Sequence, residues 1–424
     1  MAAAIGVLIF IVGLLVSIAL HEVGHMVPAK KFGVRVSEYF VGFGPTLWSR
    51  KGKETEYGFK AIPLGGYVKL VGMIPPEDAV KPVRGHGRIA QVIADARSAS
   101  VDEVLDGEDH RAFYHLTWWR KVIVMFGGPF VNLVLAVLLF TAVLVGIGTP
   151  TSTTTIHEVA TCVPAAGATE CAADDPASPA SEAGLQAGDT ITAVNGEPVD
   201  EWTDLTSVVQ KSAGTAVALT VIRDGETIEL TVTPATYTRP TADGGTETVG
   251  YLGLVPLAEV QKQGPLSGLQ LAWDYTGQTL KAIVTLPVQI YHAALATLGL
   301  EERSTTSVMG IVGVGRIAGE VTSAQVEGYG TLQRVGDMLM LLGGLNLALF
   351  AFNMIPLVPL DGGHIASAFW QGIKNGWARL RGLPRPAPVD VARMMPLAYG
   401  MFAVLLAMGA VLILADILAP VQFS

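Results

Sequence analysis

Four stretches of the chain are apolar for about twenty residues or more: Ala2 to Leu20, Val122 to Ile147, Met338 to Leu360 and Pro396 to Leu418. Runs of that length cross a bilayer as helices, so at least four spans are predicted, over 1–26, 121–149, 336–364 and 396–420. Between the first two, Val34 to Met73 alternates apolar and polar positions with repeated glycines (VGFGP, LGGYVKL). That alternation predicts β-hairpins, assigned to a membrane-associated region over 27–75. A Pro-, Gly- and charge-rich linker follows over 76–120, with a short amphipathic helix from Gln91 to Leu105. Short β-type runs with turns (DTITAVNGEPV, AVALTVIRDGETIELTVTP) predict a β-rich domain within 150–265. Leu266 to Leu300 is helical in pattern but carries Trp273, Asp274, Lys281 and His292. It opens an interfacial segment, 266–335, rather than a fifth span. Residues 365–395 are read as a loop.

Composition narrows the class. With 50% hydrophobic and 15% charged residues, the chain is too apolar for an ordinary soluble enzyme. A net charge of −9 and the lack of a basic patch interleaved with aromatics argue against nucleic acid as a partner, and lipid is the expected surroundings. Charge also orients the spans. Lys30 to Lys121 holds fifteen basic and eleven acidic residues, Pro150 to Gln263 four and sixteen, and Asp361 to Arg393 five and two. The first and third of these segments are therefore assigned to the cytoplasm and the second to the outside, with both termini outside. Trp118, Trp119, Arg120 and Lys121 form an aromatic and basic anchor at the start of the second span. The first run lacks the basic n-region of a signal peptide and is read as a retained span. Cys162 and Cys171 fall in the external segment, where a disulfide is expected.

The candidate chemistry starts at the end of the first span, with HEVGH at His21 to His25. Positions i and i+4 share a helix face, so His21 and His25 can offer two imidazoles to one Zn²⁺, with Glu22 beside them as the general base for water. A catalytic zinc needs a third protein ligand. Asp361, in FNMIPLVPLDGGH, is the strongest candidate, because charge counting places it at the same membrane depth. His364 is a competing ligand, and a helix N-cap is the structural alternative for Asp361. Asn353 precedes Pro356 and Pro359; its amide either serves a substrate carbonyl or oxyanion or bonds backbone freed by the prolines. Gly127, Gly128, Pro129 and Asn132 interrupt the second span, read first as close packing, with Asn132 also within reach of the site. Gly42, Gly44, Gly65, Gly66 and Asn132 are the candidate substrate contacts, since a strand edge beside the motif can receive an extended peptide. His86, His110 and His115 lack ligand spacing and are read as surface residues.

Two resemblances follow from these residues. SEAGLQAGDTITAVNG at Ser181 to Gly196 resembles bacterial PDZ domains, and Tyr251, Leu252, Gly253 and Leu254 resemble their carboxylate-binding loop. The groove is open to two uses, peptide capture or exclusion by size. HEVGH, GGPFVN and NMIPLVPLDGG together resemble the site-2 protease family of intramembrane zinc metalloproteases, in its bacterial PDZ-containing branch, and Gly310 to Gly315 resembles a glycine-rich stretch before the third span. The resemblance implies a polytopic α-helical membrane protein of the bacterial inner membrane, its PDZ domain extracytoplasmic and its active site near the cytoplasmic side. It also implies substrates that span the membrane, of the anti-sigma factor type, already trimmed outside. The cysteine-bearing insert, the single PDZ domain and the missing proline near Gly310 depart from the pattern and bear on substrate choice. Rival readings are a PDZ-based membrane scaffold with a structural zinc and a zinc transporter.

Overall fold

The computed structural model describes residues 2–80, 87–164, 171–172, 175–240, 246–304, 307–323 and 330–421. His86 lies outside them. Two units emerge, one formed by residues 1–147 with 264–424 and one by Gly148–Gln263.

The first unit begins with α1 (Ala2–Lys31), which carries the HEVGH motif in its last third. A β-hairpin follows, β1 (Val36–Lys51) and β2 (Glu56–Leu70). Both strands are irregular, and Tyr39 lies opposite Val68 on one side and Tyr57 on the other. Tyr39 also ties the hairpin to α1, its hydroxyl donating to the Ala19 carbonyl at 2.8 Å. Next come α2 (Arg88–Asp102), the short helix expected in the linker, and α3 (Trp118–Thr141), which runs on as a wider π turn to Ile147.

The second unit supplies β3 (Thr149–Val159), α4 (Pro179–Glu182), β4 (Thr190–Val194), β5 (Glu197–Pro198), α5 (Trp202–Lys211), β6 (Val217–Arg223), β7 (Glu226–Val232), β8 (Ala235–Pro240), β9 (Thr246–Tyr251) and β10 (Leu254–Gln261). The chain then returns to the first unit with α6 (Ser267–Thr297), α7 (Ile311–Ser323), α8 (Thr331–Asn353), α9 (Asp361–Leu380) and α10 (Met395–Leu418).

Among the described residues four helices are long and apolar enough to cross a membrane: Ala2–Lys31, Trp118–Ile147, Thr331–Asn353 and Val391–Leu418. The third apolar segment, 336–364, is interrupted where its two prolines predict: α8 stops at Asn353, and a new helix starts at Asp361. Pro356 and Pro359 supply no amide hydrogen to a helix ladder, which accounts for the break. Residues 365–395, expected as a loop, are helical as far as Leu380 because α9 has an inner face to bury; its Gly372 lies directly against the Trp118 ring of α3.

Outside water, helices associate through close packing and interhelical hydrogen bonds, and small residues sit where backbones meet. An ideal Cβ on Gly24 would lie 2.3 Å from the Gly127 carbonyl oxygen, and one on Gly127 would lie 2.0 Å from that of Gly24, so α1 and α3 touch backbone to backbone. Pro28, four residues after Gly24, has no amide hydrogen to occupy the Gly24 carbonyl. The buried Asn346 amide of α8 donates to Ser17 Oγ of α1 at 2.9 Å. Farther along the chain, Arg303 pairs with Asp416 at 3.0 Å, and the Gly313 amide donates to the same carboxylate at 2.7 Å. The glycine-rich stretch is thereby fastened to the end of α10.

In the second unit the sheet order is β10–β3–β4–β6–β7, with β5 paired to β4, and β8 and β9 form a separate hairpin. Asn195-Gly196 and Asp224-Gly225 all have positive φ, as the tight turns between β4 and β5 and between β6 and β7 require. Along β6, Val217, Leu219 and Val221 alternate inward to meet Ile156, Ile191 and Leu205. Each such fully buried aliphatic side chain contributes roughly 1.5–3 kcal/mol. Cys162 and Cys171 are joined in the expected disulfide.

Asp189, 1% exposed, accepts two hydrogen bonds from Arg223, both at 2.7 Å, and one from the Gln186 amide. The bonded guanidinium holds this carboxyl below its ordinary value of 3.8. A group lowered in the folded state stabilises above its unfolded pKa, and that stability is lost as pH falls through the lowered value. Hydrogen exchange of β4 and β6 in the intact protein should therefore show protection falling as pH is lowered below the ordinary carboxyl value of 3.8. Asp189→Asn should be less protected at neutral pH and lose less on acidification.

Candidate metal centre and active site

The end of α1 brings His21 and His25 onto one face, and their Nε2 atoms lie 3.3 Å apart. Asp361, the first residue of α9, reaches the same point: its Oδ2 is 3.4 Å from His21 Nε2 and 3.3 Å from His25 Nε2. The three donors thus form a nearly equilateral triangle. Tetrahedral zinc with bonds of about 2.0–2.2 Å sets its ligand atoms about 3.3–3.5 Å apart, which is the spacing found. Asp361 Oδ2 is buried and makes no hydrogen bond, as a carboxylate oxygen directed at a cation would be. The residues fit the metal. His364, the competing candidate, is not in the group; the described residues yield His21, His25 and Asp361. Nor is Asp361 an N-cap, a position that Leu360 takes.

A cavity of about 510 Å³ opens beside the triangle. Glu22, Asn132, Asn353, Gly65, Gly66 and His364 are among the residues lining it. Asn353 arrives there because α8 ends on it. An ideal Cβ on Gly66 of β2 would come within 3.3 Å of Glu22 Cγ. The hairpin therefore sits against the motif, as its closeness in sequence implied. Of the four glycines singled out there, Gly65 and Gly66 reach the cavity. Gly42 and Gly44 do not line it; they flank Phe43, which does, and their positive φ values bend β1 around that residue.

Helix α3 forms the far wall. Gly128 faces the imidazoles so closely that an ideal Cβ would lie 2.2 Å from His25 Nε2. The Val124 carbonyl accepts a hydrogen bond from His25 Nδ1 at 2.8 Å, and the Asn132 amide lies 3.1 Å from His21 Nδ1. The packing reading of the second-span glycines holds at Gly127, whereas Gly128 clears space for the two imidazoles. Val124 acts through its backbone carbonyl, so no side-chain signal announced it. His110 is exposed, and His115 bonds Asp109 at 2.8 Å, away from the triangle.

Comparison with known proteins agrees with this geometry. Peptidase family M50 matches residues 9–382. The chain belongs to that family, the site-2 proteases. As a member it is a zinc metalloprotease, and its helices fit a multi-pass membrane protein. It is similar to zinc metalloprotease Rip1 of Mycobacterium tuberculosis, 32% identical over 438 residues that cover 98% of each chain. Rip1 of Mycolicibacterium smegmatis is 31% identical over 444 residues, covering 100% of this chain and 99% of that one. Metalloprotease MmpA of Caulobacter vibrioides is 28% identical over 381 residues, covering 87% and 88%.

If Gly128 clears space for the M50 metal centre, Gly128→Ala should weaken zinc binding by at least tenfold while helix content stays unchanged. Metal analysis and circular dichroism of the purified variant check this.

Proposed function

We propose that the chain is an intramembrane zinc endopeptidase of the bacterial inner membrane that cuts peptide bonds within or near the membrane-spanning segments of other proteins. The observation that carries the reading is the convergence of His21, His25 and Asp361 beside Glu22, in a cavity walled by strand β2 and Asn353. The metal would be held by those three residues. The chemistry supplied by bound zinc is polarisation of the scissile carbonyl and acidification of the attacking water.

The protein's own groups do the rest. A substrate helix ties each carbonyl to an amide four residues on, and hydrocarbon offers no replacement partner when that bond opens. The Gly65–Val68 segment of β2 lies beside Glu22, and among the described residues no strand other than β1 pairs with it. It receives the unwound substrate as an added strand, and Gly65 and Gly66 leave its backbone uncovered. Glu22 takes the proton from the attacking water and passes it to the leaving nitrogen. Asn353, across the cavity, donates its amide to the oxygen on which charge develops.

The unit Gly148–Gln263 is read as one PDZ domain on the extracytoplasmic side, in line with its acidic balance and its disulfide. Tyr251–Leu254 leads into β10, an edge strand of the sheet, and a groove lined by Thr206, Gln210, Leu252 and Leu254 lies alongside. The open edge favours capture of an extended peptide end over simple exclusion. Substrates of the anti-sigma factor type, already cut outside, carry such an end next to their span.

In liposomes holding the protein and a single-span substrate, Glu22→Gln should keep zinc and lower kcat by about 10²–10⁴-fold, the range for a lost general base. Asp361→Ala should lose zinc and activity together. Full cleavage by Glu22→Gln would refute the mechanism. Asn353→Ala should keep zinc and lose about 10²–10³-fold in kcat, the cost of one oxyanion donor. Equal zinc loss in that variant would reassign it to the metal.

A further inference from the structure

Asn132 is fully buried, at 0% exposure, although its position lines the cavity. Its neighbour is a metal-ligand imidazole rather than open space. Helix α3 touches the outer nitrogen of both histidines, His25 Nδ1 through the Val124 carbonyl at 2.8 Å and His21 Nδ1 through the Asn132 amide at 3.1 Å. The two contacts are not equivalent. A carbonyl can only accept, so Val124 requires the proton of His25 on Nδ1 and leaves the Nε2 lone pair facing the triangle. An amide can do either. In the structure the NH₂ of Asn132 faces His21 Nδ1, while its Oδ1 is buried with no partner.

An NH₂ donating to Nδ1 suits the tautomer whose proton is on Nε2, which points a hydrogen at the metal position. A half-turn of the amide about χ2 puts Oδ1 on Nδ1 instead. That orientation accepts a proton from Nδ1 and turns the Nε2 lone pair toward Asp361 Oδ2 and His25 Nε2. We propose that Asn132 is a positioning residue that selects the metal-binding tautomer of His21 by accepting a hydrogen bond from Nδ1, and is not a substrate contact. This rests on the three-ligand metal centre proposed above. Outer partners of this kind hold ligand rings in register, and their loss costs about 10–100-fold in metal affinity.

The test compares zinc affinity, by competition with a chromophoric chelator, in full-length wild type, Asn132→Asp, Asn132→Leu and Asn132→Ala. Asp keeps an acceptor and should stay within a few-fold of wild type. Leu and Ala keep none and should bind zinc about 10–100-fold more weakly, with the metal-free forms melting as wild type does. Ala decides the matter if Leu does not fold. With zinc in excess, Asn132→Ala should cleave substrate with an unchanged KM. Wild-type zinc affinity in Ala, equal losses in Asp and Ala, or a raised KM at unchanged zinc affinity would each overturn the proposal. Absence of zinc binding by wild type would instead overturn the metal centre on which it rests.

Discussion

The contact of α1 with α3, backbone against backbone at Gly24 and Gly127, is the constraint from which the rest of the site follows. Any side chain there would push the helices apart. Only at that separation can the Val124 carbonyl and the Asn132 amide reach the outer nitrogens of the two histidines. Gly128 extends the same logic by one residue, leaving the volume in which the imidazoles turn toward Asp361. In a bilayer, where helices gain little from apolar burial against one another, this use of small residues is what makes close approach favourable.

A second constraint is the supply of polar partners at a site embedded among apolar helices. The break between Asn353 and Asp361 is tolerable because the irregular backbone lines a cavity instead of lipid. It also sends two residues of one segment to different places, the Asp361 carboxylate to the histidine pair and Asn353 to the cavity wall. The hairpin contributes in the same currency, with Gly66 packed against Glu22 and the β2 backbone left uncovered by Gly65 and Gly66. The M50 site is thus assembled from the interiors of α1 and α3, the facing ends of α8 and α9, and one strand edge.

The unit Gly148–Gln263 is stabilised differently. Its core is an ordinary aliphatic one around Ile191, Leu205 and Leu219, closed by Asn-Gly and Asp-Gly turns, and its buried Asp189 is satisfied by Arg223 and the Gln186 amide. The edge strand β10 starts beside a groove that α5 also lines.

Much of this was legible from residues alone, because the signals are local. Apolar runs mark spans by length, HEVGH sets two imidazoles on one face by helical period, alternation marks the hairpin, and prolines foretell the break before Asp361. Charge balance even put Asp361 at the depth of His21, 336 positions from His25. What only the tertiary structure decided depends on distances between elements. It grouped Asp361 rather than His364 with the two imidazoles, took Gly42 and Gly44 out of the cavity, and made a helix of residues expected as a loop. It also set Asn132 against an imidazole, a placement no periodicity encodes, since it requires two helices to meet where neither carries a side chain.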